Sequence, residues 1–228
     1  MKIIALFRCF FFSLMMVLAM QWSGCAEIKI GRTTVSNMKS GVRDSILDIV
    51  MIGDSIARGV GGTSPIDFYV ANHYPEGLTY VNTGIGGNNF GDVVARFDDD
   101  AINLNPRIIF VHCGTNDIVH GRTWAQVEAD LNTIDQKCLT AGIPVFFAQI
   151  LPRDATNQND ATVAAWNVNF AAWCTSHSRT LLICHDVMED PQNDERPHPD
   201  YFNDFLHPNG TGNSVLGDAY YNSYSYER

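Results

Sequence analysis

Five mostly apolar runs, at residues 48–52, 79–82, 107–113, 144–150 and 180–184, recur along the chain with helix-length segments between them. Runs of this length with little polar alternation mark strands whose two sheet faces are both covered. A strand that hands over to a helix before the next strand cannot turn straight back on itself. The repeat therefore predicts an α/β fold, a three-layer α/β/α sandwich on a mostly parallel five-stranded sheet. In such sheets ligands bind beyond the carboxyl ends of the strands, so the residues that follow each run carry the most information.

The helices have their own signals. Thr123 and Gln126 form a capping box ahead of Val127, Leu131, Ile134 and Cys138, whose spacings of four, three and four paint one face, and Gly142 with Pro144 ends the segment. A second helix is expected from about residue 90, with Val93, Val94, Phe97 and Ala101 on one side. A third runs over about 160–176 with Val163, Trp166, Phe170 and Trp173, and a last one over about 212–220. The two tryptophans, seven residues apart, read as core rather than as a sugar platform. Trp124 reads as exposed near the loops, and Asp98-Asp99-Asp100 as a solvated helix end.

The loop residues carry chemistry. Gly53-Asp54-Ser55 follows the first run, Gly84 to Asn89 the second and Gly114-Thr115-Asn116-Asp117 the third, while Asp204-Phe205-Leu206-His207 follows the fifth by a long loop. A serine hydroxyl is a weak nucleophile until an imidazole takes its proton, and a carboxylate on the other ring nitrogen holds that imidazole in the right tautomer. Asp204 and His207 are three residues apart, a spacing at which one helical turn presents both on one face. Ser55, Asp204 and His207 thus have the makings of a catalytic triad. The backbone N–H groups of Ser55 and Gly87 and the amide of Asn116 would supply donors to the oxyanion.

Competing readings are weaker. Gly53-Asp54-Ser55 alone is also an ordinary strand-to-helix turn with capping residues. The glycines lack the following Lys-Ser/Thr of a phosphate loop, G-x-S-x-G is absent, and no H-E-x-x-H or Cys/His ligand spacing appears, so neither a nucleotide, an α/β-hydrolase elbow nor a metal is expected. His112 reads as a satisfied core or sheet-end histidine, and His73, His120 and His177 as surface or loop residues. His198, near Asp200 and between prolines, is the rival base to His207.

Taken in order, these blocks resemble those of the SGNH hydrolases, the GDSL esterase/lipase family, over essentially the whole chain from about residue 48. The resemblance implies a flavodoxin-like fold, Ser55 as nucleophile, Asp204 as orienting acid, His207 as base, and an oxyanion hole of Ser55, Gly87 and Asn116, with Gly86 the neighbouring alternative to Gly87. It implies hydrolysis of carboxylic esters without a cofactor. Substrates in that family include acetylated polysaccharides, lysophospholipids, acyl thioesters and small aryl esters. A compact acidic domain without a long apolar lid leans towards short acyl groups on carbohydrate. A lysophospholipase or thioesterase, and a non-catalytic surface binding protein, are the alternatives.

The N-terminus reads as an address. Lys2 and Arg8, an apolar stretch over 9–20, and the small residues near Cys25 and Ala26 suggest an export signal over residues 1–25, followed by a polar tether over 26–44 and the catalytic domain over 45–228. Ser23-Gly24-Cys25 resembles a lipobox, which would attach a lipidated Cys25 to the membrane; cleavage after Ala26 is the competing reading. Loss of the signal takes the net charge from −10 to −12, which argues against nucleic acid or anionic lipid as partner. Cys113, Cys138, Cys174 and Cys184 are expected as buried thiols rather than bridges.

Overall fold

The computed structural model describes residues 28–30, 33–35, 47–59, 63–153 and 160–226. The segments read from sequence as an export signal, with Cys25, and most of the expected tether lie outside the described residues. Within the segment read as an aperiodic tether, β1 (Ile28–Ile30) pairs antiparallel with β2 (Thr33–Val35); β-branched Ile, Thr and Val favour the extended backbone.

Five strands form one parallel sheet: β3 (Ile49–Gly53), β4 (Tyr80–Asn82), β5 (Ile108–His112), β6 (Val145–Ala148) and β7 (Thr180–Leu182), in the spatial order β4-β3-β5-β6-β7. The five-stranded parallel sheet expected from sequence is present; β3 is displaced by one residue from its apolar run and the other four strands are a little shorter than theirs. The period of two divides the central strands between two cores. Ile49 and Met51 of β3 join Ile108, Phe110, Phe146 and Ala148 on one face. Val50 and Ile52 join Ile109, Val111, Val145 and Phe147 on the other.

Against the first face pack α2 (Pro65–His73) and α7 (Gly210–Ser223); against the second pack α3 (Phe90–Asp100), α5 (Trp124–Ala141) and α6 (Asp160–Ser176). Two short helices, α1 (Ser55–Arg58) and α4 (Thr115–Val119), open directly from β3 and β5. The capping box at Thr123 and Gln126 forms as expected, and Gly142 closes α5 in the left-handed conformation. Trp166 and Trp173 are buried. Trp124 departs from its expected exposure: its ring packs edge-on against Trp166 and Phe170. Apolar area outweighs proximity to a loop here.

The sequence reading did not single out α2. Its signal was present: Ser64 and Asp67 form a capping box and Pro65 occupies the first turn, where a missing N–H costs nothing. All four cysteines of the described domain are free and buried. Burial pushes the thiols of Cys138 and Cys174 up to about 12, which makes them inert. No helix among the described residues is long and apolar enough to cross a membrane.

Candidate active site

The strand order reverses between β3 and β5, and the crevice beyond their carboxyl ends is where the sequence motifs meet. Gly53 ends β3 against its neighbour: a Cβ there would sit 1.8 Å from the His112 carbonyl oxygen, so no other residue lets the strands close to this register. Asp54 then turns the chain into α1 by accepting the Ile56 N–H at 2.8 Å, and Ser55 becomes the first helical residue.

Ser55 Oγ lies 3.1 Å from His207 Nε2, and His207 Nδ1 lies 2.9 Å from Asp204 Oδ2. An ionised carboxylate only accepts, so Nδ1–H donates to Asp204 and a neutral ring offers Nε2 to the serine hydroxyl. Partial burial works to raise the Asp204 pKa, but bonds from the His207 ring and from the backbone N–H groups of His207 and Leu206 outweigh it and hold the carboxyl below its usual range. Those two backbone bonds, 2.6 and 2.7 Å to Asp204 Oδ1, define the local geometry.

They also correct an expectation. Residues 204–207 form a bend rather than a helical turn, closed by the isolated bridge Phe202↔Pro208. Pro208 disfavours helical backbone at His207, and the Asp204 side chain supplies the turn instead. Asn209 then caps α7 by accepting from Gly212 N, so the helix starts at Gly210, slightly ahead of its expected position.

The glycine loop crosses over α1. Gly84 presses on it so closely that a Cβ would meet Arg58 N at 2.5 Å. Gly87 is left-handed, with φ 83° and open space where a Cβ would point, whereas Gly86 has no such backbone requirement. The Asn116 amide donates to the Asn88 carbonyl at 2.9 Å, tying the loop after β5 to the glycine loop. Among the described residues, the backbone N–H groups of Ser55 and Gly87 donate to no protein acceptor. Ser55, His207 and Asp204 are thus joined by hydrogen bonds, while Asn116 is fastened to the glycine loop that carries Gly87.

Sequence reasoning missed the residues that hold these loops. Arg96 donates from Nε to Asn88 Oδ1 (2.8 Å), from Nη1 to the Thr83 carbonyl and Asp100 (both 2.7 Å), and from Nη2 to the Gly53 carbonyl (2.9 Å). Its pairing with Asp100 at i,i+4 was the visible signal, though a helix-surface ion pair was the simpler interpretation. Asp117 accepts the Phe90 N–H with both carboxylate oxygens and pairs with Arg122 at 2.6 Å, fixing the start of α3. Burial pushes its carboxyl up to about 6, and that of Asp54 to about 7. Asp54 Oδ2 is buried without a hydrogen-bond partner.

Of the other histidines, His198 stacks on Tyr201 at 3.9 Å and its Nδ1 accepts from Asp200 N; it is His207 that reaches Ser55. His112 is only half satisfied: Nδ1 meets the Tyr220 hydroxyl while Nε2 is buried without a partner, and burial holds its pKa down at about 3. Among the described residues no cluster of His, Cys, Asp or Glu is arranged to hold a metal.

A parallel sheet with Ser, His and Asp in hydrogen-bonded series at its carboxyl edge, outside any G-x-S-x-G elbow, has the form of an ester hydrolase. The chain belongs to the GDSL-like lipase/acylhydrolase family, the SGNH hydrolases, whose profile matches residues 51–215. No curated protein sequence matches it. Solved structures share the fold. The acetylxylan esterase Axe2 from Geobacillus stearothermophilus superposes with TM-score 0.68 at 18% identity, covering 80% of this chain and 97% of its own. A GDSL-like lipase from Bacteroides thetaiotaomicron gives 0.64 at 19%, covering 76% and 85%. The lipase/acylhydrolase from Enterococcus faecalis gives 0.65 at 17%, covering 76% and 92%.

Proposed function

We propose that the protein is a serine esterase that removes short acyl groups, such as acetyl, from carbohydrate through an acyl-Ser55 intermediate. The observation that carries this reading is the continuous line from Ser55 Oγ through His207 to Asp204, 3.1 and 2.9 Å per link. Ser55 Oγ attacks the ester carbonyl as His207 Nε2 takes its proton. The carbonyl oxygen becomes an oxyanion that accepts from the N–H groups of Ser55 and Gly87 and from the Asn116 amide. Collapse breaks the bond to the alcohol, which leaves with the proton from His207. Water, deprotonated by the same imidazole, then releases the acid and restores Ser55.

The fold match to an acetylxylan esterase supports the short-acyl, carbohydrate-directed reading. The N-terminal segment supports an exported enzyme, either free after cleavage or held by a lipidated Cys25. One observation favours a longer acyl chain instead: Ile85 and Phe205, in the two loops that flank the crevice, are 45% and 47% exposed, an apolar surface that a lysophospholipid or thioester chain would cover.

Hydrolysis of p-nitrophenyl esters from acetyl to dodecanoyl separates these readings, with Ser55→Ala as control. Activity that disappears in the variant and peaks at acetyl supports the deacetylase. A peak at octanoyl or beyond transfers the assignment to the longer chain, and activity that survives in Ser55→Ala removes the triad.

A further inference from the structure

Two arginines sit against the glycine loop in opposite conditions. Arg96 is engaged: its guanidinium donates to two backbone carbonyls, to Asn88 and to Asp100. Arg58 is exposed, and among the described residues its guanidinium forms no ion pair and donates no hydrogen bond. It stands three residues after Ser55 on α1, a spacing that puts the two on the same side of a helical turn. A Cβ built on Gly86 would lie 3.5 Å from Arg58 Nη2 and 3.7 Å from both Cζ and Nη1. These near-equal distances set the guanidinium broadside over Gly86, the residue before Gly87.

This is unusual for the chain. Its net charge is −10, and acids are plentiful enough to claim its cations. Arg96, Arg107, Arg122, Lys137 and Arg179 each hold a carboxylate, while Arg153 is buried against Thr115. Among the side chains described, Arg58 and Arg196 are the exposed cations that no described carboxylate holds, and both border the site. Arg196 lines an open groove of about 420 Å³ that includes Asp204, but it shares that groove with the acids Asp190 and Asp204. Arg58 is thus the better placed cation to meet an incoming anion.

We infer that Arg58 reads a negative charge on the substrate, so that the preferred ester carries a carboxylate or phosphate close to the bond cleaved at Ser55. A guanidinium offers paired donors in a plane that matches either group, and its stacking on the glycine loop orders it in advance of binding. The overall acidity of the chain disfavours an extended anionic polymer, which makes the target a single charged group near the ester. This inference rests on the esterase reading and narrows its substrate. The simpler role for Arg58, complementing the carboxyl end of α1, would affect stability but not substrate choice.

The test uses matched acetate esters: neutral 4-acetoxybenzamide, anionic 4-acetoxybenzoate and 4-acetoxyphenyl phosphate. The quantity read is the ratio of kcat/KM for each anion to that for the neutral ester, compared between wild type and variants so that intrinsic leaving-group reactivity cancels. Arg58→Ala should lower that ratio about tenfold, the scale of one charge-assisted hydrogen bond, and Arg58→Glu should lower it further. Arg58→Lys should retain part of it. A loss confined to the benzoate identifies a carboxylate site, and a loss confined to the phosphate identifies a phosphate site. Equal ratios in wild type, Arg58→Ala and Arg58→Glu overturn the inference while leaving Ser55-dependent hydrolysis of the neutral ester, and hence the esterase reading, intact. Failure to hydrolyse all three, together with no labelling of Ser55 by a fluorophosphonate, overturns both.

Discussion

The side-chain amide of Asn116 donates to the Asn88 carbonyl at 2.9 Å, so the loop that follows β5 is fastened to the loop that follows β4 across the intervening strand β3. One amide hydrogen is used in this bond. The other belongs to the oxyanion in the mechanism proposed above. Asn116→Ala should lower kcat by about 10²–10³, the usual effect of losing an oxyanion donor, with a smaller change in KM. Steady-state kinetics on p-nitrophenyl acetate checks this, and unchanged turnover would take Asn116 out of the site.

Arg96 supports the same arrangement from behind, through the Gly53 and Thr83 carbonyls and the Asn88 side chain. Removing it displaces the oxyanion loop without touching the substrate. Arg96→Ala should reduce kcat by about 10–100-fold, the penalty for an ångström-scale misplacement. Lysine has a single nitrogen and cannot span these acceptors, so Arg96→Lys should be nearly as poor. Full activity in the lysine variant would mean that only the charge paired with Asp100 matters.

Asp204 fixes the tautomer of His207 and bends its own loop by accepting the backbone N–H groups of Leu206 and His207. Asn in its place keeps an acceptor for the bend but can present an amide N–H to the ring. Asp204→Asn should therefore lower kcat by roughly a thousandfold or more, while the circular dichroism spectrum and Tm stay close to wild type. A large fall in Tm with little kinetic effect would assign Asp204 to the loop alone.

Asp54 predicts a pH dependence of stability. Burial raises its carboxyl from 3.8 to about 7 in the folded protein, so the folded chain holds this proton more tightly than the unfolded one. Its contribution is complete below about pH 4, declines as pH rises towards 7, and is lost above that. Tm should fall between pH 5 and pH 8, and Asp54→Asn should flatten that fall. Some slope should remain, because Asp117 is shifted the same way to about 6. Identical slopes in variant and wild type would show that Asp54 is ionised in the folded state across this range.

Much of this was legible in the chain because the features concerned are local or periodic. The apolar runs gave the strands, Thr123 and Gln126 gave the start of α5, and Ser55, Asn116, Asp204 and His207 stood in short motifs after strand ends. What escaped depends on contacts between distant segments. Arg96 touches the carbonyls of Gly53 and Thr83, 43 and 13 residues away, whereas its local pairing with Asp100 suggests only a helix-surface ion pair. The helical turn expected at 204–207 was a spacing argument that overlooked Pro208. Trp124 was judged by its place at a helix start, whereas Trp166 and Phe170 decided its environment.

The two halves of the Ser55–His207 bond come from opposite ends of the domain, 152 residues apart, and the tail beyond α7 is stitched into the same structure: Tyr69 donates to the Tyr224 carbonyl at 3.1 Å and the Tyr226 hydroxyl to Asp48 at 3.1 Å. A growing polypeptide therefore presents the serine long before it owns an imidazole to activate it. On the mechanism proposed above, ester cleavage awaits the segment that carries His207, so a domain cut short before it would be hydrolytically silent rather than partly active.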